Sequence, residues 1–414
     1  MAAAALIPKF GVAKEVRAEI YRGPGRDLII EYLRTCHLFE WKKHDSRMIT
    51  GLYAKAAAYD GLCVAPGGTA GEAANMIRKS FEENAFGAMI AGVWSNGKPV
   101  VVGALGESMT GVPATIDMVH RIGNVSAPFL TTLFLQLVDE GVLSLDDRLA
   151  NWFPELPDAE VITLEQLARS MTGYAHHPST EAFVTAFYED PFRAWKAEEL
   201  IGFGTADGTA FEPGTGWMFS DTNLLILGEV IEAETGRSTH ELIEERIIRP
   251  LRLYNTTSPR TAELSEPVLH GFTDERGVWE DATYWNPTWV PYGGDMASNQ
   301  KDIARWIKVL ASGALLSKES RVAQLAPTTV GLGPNTEDLY YAMGFGVTNG
   351  WVFANPSLQG YRASVGHQPD ANVTIVIYVT RTQQADESAR QDMALFQSLG
   401  ELLAPHNPPA LPPR

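Results

Sequence analysis

With 414 residues, 45% of them apolar, the chain is long enough for two domains, or for one large domain with an insertion, and can build full cores. Its formal net charge of −17 argues against nucleic acid or an anionic membrane as partner, because phosphate is repelled by an acidic surface. Two cysteines, Cys36 and Cys63, give neither a disulfide framework nor metal-ligand spacing, and a reduced thiol pair is expected.

The opening Met1–Lys9 lacks a basic leader and an apolar run, and no window approaches a membrane-spanning length of apolar residues, so a soluble cytoplasmic protein without a signal peptide is expected. Residues 1–70 read as an N-terminal extension carrying a helix at Asp27–Leu33 and an aromatic and basic cluster at Phe39–Lys43. Pro66-Gly67-Gly68 ends it, and Glu72–Glu83 predicts an amphipathic helix with Ala73, Met76, Ile77 and Phe81 on one side. Ala88–Trp94 and Pro99–Gly103 are β-like runs flanking Asn96-Gly97, the dipeptide that tolerates the positive φ angles of a tight hairpin turn. Ser95-Asn96-Gly97-Lys98 spells S-x-x-K, but a nucleophile in an exposed turn would have neither an oxyanion hole nor a buried base.

The stretch His120–Phe129 is the centre of the chain. An Ile122-Gly123 turn delivers Asn124, whose carboxamide is able to cap a helix, and Pro128 suits a first helical turn. From Phe129 to Val138 the run is apolar nearly all round before Asp139-Glu140-Gly141 stops it, which predicts a helix through a core with its N-terminus facing a cleft. Downstream stand Leu143–Leu149, Ile162–Leu167, Ser170-Met171-Thr172-Gly173 and Phe211–Asn223, the last leading into a helix from Leu224 to Glu234. Glu244–Leu251 and Gly293–Ser298 follow, then a helix over 301–311 with Ser298 as its N-cap, closing strands at Gly360–Gly366 and Val373–Val379, a terminal helix over Ser388–Leu403 and a Pro-rich tail over 405–414.

In order and spacing these segments resemble the serine β-lactamase and penicillin-binding-protein superfamily, of the class C β-lactamase, DD-peptidase and related esterase type, over about residues 72 to 403. The resemblance implies an α/β (α+β) transpeptidase-like fold: an antiparallel sheet flanked by helices, an all-helical domain, and a cleft between them. It divides the chain into a discontinuous sheet domain, 71–115 and 300–404, and a mainly helical domain, 116–299. The family phrase F-R-I-G-S-x-x-K falls on His120–Ala127, so its Ser position is Asn124 and its Lys position is Ala127. The second-motif Tyr is Phe219, and counting back from Gly360-Tyr361 sets the third motif on Ala354-Asn355-Pro356, without an ionisable group. Acyl transfer needs a hydroxyl, a base to deprotonate it and a cation beside the oxyanion. Loss of all of these together within an intact frame argues against covalent hydrolysis.

What remains is a helix N-terminus lined by Asn124, with Asp221, His176 and His177 as candidate proton carriers. Phe219, Ser220, Tyr174 and Asn355 are expected to contact substrate, and Trp285, Trp289 and Tyr292, just before Gly293-Gly294, to form an aromatic wall suited to an apolar or aromatic small molecule. Against these stand plainer alternatives: His120 and the loop histidines as packed or surface side chains, the aromatic runs as core, and His240-Glu241-x-x-Glu244 as a solvated helix face rather than metal ligands. No cofactor and no metal are expected, and homo-oligomers are left open. Three readings result: a repurposed enzyme doing non-covalent cyclisation, isomerisation, elimination or hydration on a biosynthetic intermediate; a non-catalytic binding protein; and a hydrolase or acyltransferase with another nucleophile.

Overall fold

The computed structural model describes residues 61–258, 260–385 and 390–411. The expected helix at Asp27–Leu33, the cluster at Phe39–Lys43, Cys36 and the proposed helix start at Ser388 lie outside them.

β1 (Leu62–Val64) and helix α1 (Gly68–Glu83) lead into the hairpin of β2 (Phe86–Ser95) and β3 (Lys98–Met109). Its turn is the expected one, with Asn96 at φ 52 and Gly97 at φ 72. Helix α2 (Ala127–Asp139) is the apolar run, buried along nearly its whole length, and α3 (Asp221–Thr235) lies beside it, ended by Gly236 in the left-handed conformation. Helix α4 (Gln300–Ser312) precedes β4 (Leu339–Tyr341), β5 (Gly346–Thr348), β6 (Trp351–Ala354), β7 (Tyr361–Gln368) and β8 (Val373–Arg381), and α5 (Gln391–Leu403) closes the chain. The sheet runs β1-β3-β2-β8-β7-β6-β5-β4, every pairing antiparallel.

Period-two alternation gives this sheet two buried faces. Along β8, Val373, Ile375, Ile377 and Val379 join a core with α1 and α5, while Val376 and Tyr378 join the larger core that contains α2, α3 and α4. Phe129 of α2 stacks on Trp306 of α4 at 3.9 Å between ring centroids. No helix among the described residues is long and apolar enough to cross a membrane.

Several local expectations are corrected. Cys63, buried on β1, is disulfide-bonded rather than reduced. The cap of α4 is Asn299, whose side chain accepts from the Asp302 amide, while Ser298 pairs through its hydroxyl with Thr256 at 2.7 Å. Asn124 caps nothing: it sits in a 3-10 turn, Gly123–Val125, and Ser126 holds the N-cap of α2 without a side-chain cap bond. His240 is buried rather than on a solvated face, bonded to Ser258 and lying 3.6 Å from Asp295.

Gly123 joins the start of α2 to the segment after β6. It lies at φ 52, and a Cβ there would stand 2.6 Å from Cβ of Pro356. Gly123→Ala is therefore expected to cost about 1–3 kcal/mol, from left-handed strain plus displacement of that segment, read as a lowered urea midpoint at unchanged slope.

Candidate functional site

The start of α2, the segment carrying Trp217 and Phe219, strands β4 to β6 and the chain's C-terminal tail enclose a cavity of about 440 Å³. Asn124 lies at its helical side, half-buried. Its Oδ1 is buried with no hydrogen-bond partner, so the carboxamide is not committed to the fold. Asn355 and Ala354 line the opposite side, and the contact between Pro356 and the Gly123 position brings this segment directly against the start of α2. Gly344 closes the seam between them. At φ 81, its Cβ position would stand 3.0 Å from Thr131 Oγ1 and 3.1 Å from the Ala127 carbonyl carbon, so only glycine lets the β4–β5 turn approach the helix this closely.

The remaining wall is apolar or neutral: Trp217, Phe219, Leu339, Phe345, Phe353 and Met393 supply hydrocarbon, and among the described residues no Asp, Glu, Lys, Arg or His lines the cavity. Tyr340 and Asn335 also face it, but both are tied to the fold: Tyr340 donates to the Leu325 carbonyl at 2.9 Å, and Asn335 accepts from the Tyr341 amide at 2.7 Å. Tyr341 is a further titratable group of the wall. Its ring packs edge-on to Phe219 at 6.0 Å, its hydroxyl is buried, and burial first, then the Asp221 carboxylate, raise its pKa against a hydrogen bond with Ser170. It stays protonated at neutral pH.

Asp221 opens α3, where the helix dipole favours a carboxylate, yet burial wins and raises its pKa against the opposing pull of His176. His176 Nδ1 accepts from the Asp221 amide at 3.2 Å and lies 3.7 Å from its Oδ2, and the imidazole packs on Phe219 at 5.4 Å. The two therefore form a pair behind the Phe219 ring rather than in the cavity wall. Asp221 Oδ1 has no hydrogen-bond partner and lies against Gly293, where a Cβ would collide with it.

The other expected site residues separate. His177 is turned into an aromatic core, with Nδ1 3.2 Å from Thr222 Oγ1, Nε2 2.8 Å from the Trp289 carbonyl and its ring edge-on to Phe183; burial pulls it down to about 3. Tyr174 is buried and donates to the Pro157 carbonyl at 2.5 Å. Ser220 donates to the Ala175 carbonyl at 2.8 Å. Trp285 and Trp289 pack with Phe187 and border a separate void of about 20 Å³ beside Arg121, and Tyr292 stacks on His240 while its hydroxyl donates to Glu232 at 3.1 Å. The expected aromatic wall is thus helix packing, and the real one comes from Trp217, Phe219, Phe345 and Phe353. Tyr341, Met393 and Leu411 were not among the expected site residues, for nothing in their local sequence distinguishes them from packing residues. Among the described residues no group of three or more His, Cys, Asp or Glu is placed to hold a metal.

A family model described as Beta-lactamase matches residues 73–399. The chain belongs to the beta-lactamase family. It is 23% identical to penicillin-binding protein 4* of Bacillus subtilis over 327 residues, 72% of this chain and 68% of that protein. A D-aminopeptidase of Cereibacter sphaeroides is 25% identical over 321 residues, 74% of this chain and 59% of its own length. The structure superposes on a D-stereospecific amidohydrolase from Streptomyces with a TM-score of 0.70 at 24% identity, covering 80% of this chain and 99% of the other. At that identity the likeness is one of fold, a mixed α/β architecture with a large antiparallel sheet flanked by helices.

The loop following Gly293-Gly294 holds a second buried acid, Asp295. Burial pushes Asp295 from 3.8 up to about 7, opposed in part by the Arg121 guanidinium, while burial pulls His240 down to about 3. A raised carboxyl stabilises the fold fully below its unfolded pKa and loses that contribution as pH rises through the folded value. Relative to Asp295→Asn, the wild type is expected to lose up to about 4 kcal/mol between pH ~4 and ~7, roughly three tenfold steps, and nothing further above. Urea titrations at pH 4 and pH 8 measure the difference.

Proposed function

We propose that Asn124, Ala127 and Phe219 occupy the positions where relatives of this family carry the nucleophilic serine, its lysine and the tyrosine of the second motif, and that the cleft here performs non-covalent chemistry on a neutral, largely apolar small molecule. The carrying observation is the carboxamide of Asn124 at the start of α2, whose Oδ1 is buried without a hydrogen-bond partner, in a cavity with no ionised residue among its described lining. A carboxamide is a poor nucleophile, because its nitrogen lone pair is delocalised, but it is a good donor to a carbonyl oxygen. In a water-poor apolar cavity at a helix N-terminus such a donor stabilises developing negative charge on that oxygen. An anionic ligand finds no cation among the described lining residues and meets Asp221 behind the wall, so a neutral ligand is favoured.

Tyr341 lines the cavity, and the Asp221 carboxylate acts on it electrostatically. A relay in which Tyr341 takes a proton from the ligand's α-carbon while passing its own to Asp221 leaves the tyrosine neutral throughout, as its burial requires. Enolisation of that kind is the step shared by isomerisation, elimination and carbon–carbon cyclisation beside a carbonyl.

Two measurements test this. Incubation with a fluorophosphonate or a fluorescent penicillin is expected to leave the intact mass unchanged, and an adduct would end the non-covalent reading. With an alkyl methyl ketone in deuterated buffer, exchange of the α-protons is expected by NMR, slowed about 10²- to 10³-fold by Asn124→Ala and at least tenfold by Tyr341→Phe. Binding of the ketone without exchange would make the protein a non-catalytic binder.

A further inference from the structure

We infer that the C-terminal tail, Ala404–Leu411, is a built wall of the ligand cavity, and that Leu411 sets the length of the apolar arm a ligand can carry. This rests on the reading above that a neutral carbonyl ligand is held at Asn124, and it specifies that ligand's shape: a carbonyl head at the start of α2 and a hydrocarbon arm running past Phe353 and Met393 to Leu411.

The tail forms no helix or strand beyond α5, so its carbonyls need partners from elsewhere. The β5–β6 hairpin supplies them in sequence. Trp351 Nε1 donates to the Asn407 carbonyl at 2.8 Å, and Asn349 Nδ2 donates to the Pro408 carbonyl at 2.8 Å. Thr348 Oγ1 both donates to the Ala410 carbonyl at 3.0 Å and accepts from the Ala410 amide at 2.8 Å. Pro409 packs on α5 at Gly400, where a Cβ would displace it. One residue beyond the Thr348 clamp, Leu411 reaches the cavity and joins Phe353 and Met393 in its lining. Residues 408–411 read Pro-Pro-Ala-Leu, and prolines fix φ in advance, which lowers the entropy lost on docking the segment. A segment held at four backbone groups of Asn407, Pro408 and Ala410 is a fixed wall, and Leu411 defines one end of the cavity.

The test uses methyl ketones of four to twelve carbons, with affinity read by saturation-transfer NMR and calorimetry on the full-length chain. Affinity is expected to rise about fourfold per methylene until the arm meets Leu411, then to level off. Leu411→Ala is expected to move the break to longer chains, and Leu411→Trp to shorter ones. Thr348→Val, which only unclamps the tail, is expected to behave like Leu411→Ala. A break at the same length in all four proteins would overturn the proposal. Asn124→Ala is expected to weaken every ketone by the same factor; if it weakens none, the carbonyl reading fails, while the chain-length series still decides the role of the tail.

Discussion

The cavity depends on one close approach: the N-terminus of α2 against the segments that follow β6 and precede β5. Gly123 meets Pro356 and Gly344 meets the Ala127 backbone and Thr131, each at a distance that admits no Cβ without movement. Thr131 Oγ1 then donates to the Met343 carbonyl at 2.9 Å, tying helix to turn from the side. Because α2 is buried along its length and pinned by Phe129 on Trp306, it has no freedom to absorb such movement. The sheet edge is thereby fixed against the helix, and the position of Asn124 relative to Ala354 and Asn355 follows from packing elsewhere.

Buried charge around the start of α2 is spent on the fold. Arg121, three residues before Asn124, spends its guanidinium on the carbonyls of Ala262 and Asp295, and Arg169 is held by Glu165 and the carbonyls of Ala323 and Ala326. Buried cations satisfied in this way support loops rather than a bound anion. With Asp221 and His176 screened by Phe219, the nearest polar groups to a ligand are neutral dipoles, and fixed dipoles in a low-dielectric site act strongly without needing to be discharged.

The elements were legible wherever the signal is local. The Asn96-Gly97 hairpin, the apolar run of α2, the Gly236 stop of α3 and the alternation along β8 each follow from a few consecutive residues. Asn124, Phe219 and Asn355 lie inside phrases with fixed spacing, and all three line the cavity. Trp285, Trp289 and Tyr292 were not separable from ligand contacts by sequence, since an aromatic side chain packs against Phe187 or His240 as readily as against a ligand. Tyr341 and Leu411 were invisible for the opposite reason: their role arises only when strands and tail distant in sequence are brought to one place.

Phe219 joins the cavity to the acidic pair behind it. Its ring packs on His176 at 5.4 Å and edge-on to Tyr341 at 6.0 Å, so one apolar side chain supports both the imidazole and the phenol. Tyr341 is delivered to that wall by β4, from a part of the chain far from the segment before α3. Burial first, and then the Asp221 carboxylate, raise the pKa of this phenol, so it holds its proton at neutral pH. A side chain with no charge of its own thus keeps an acid and a phenol in one packed unit, and a change of volume at Phe219 would move both.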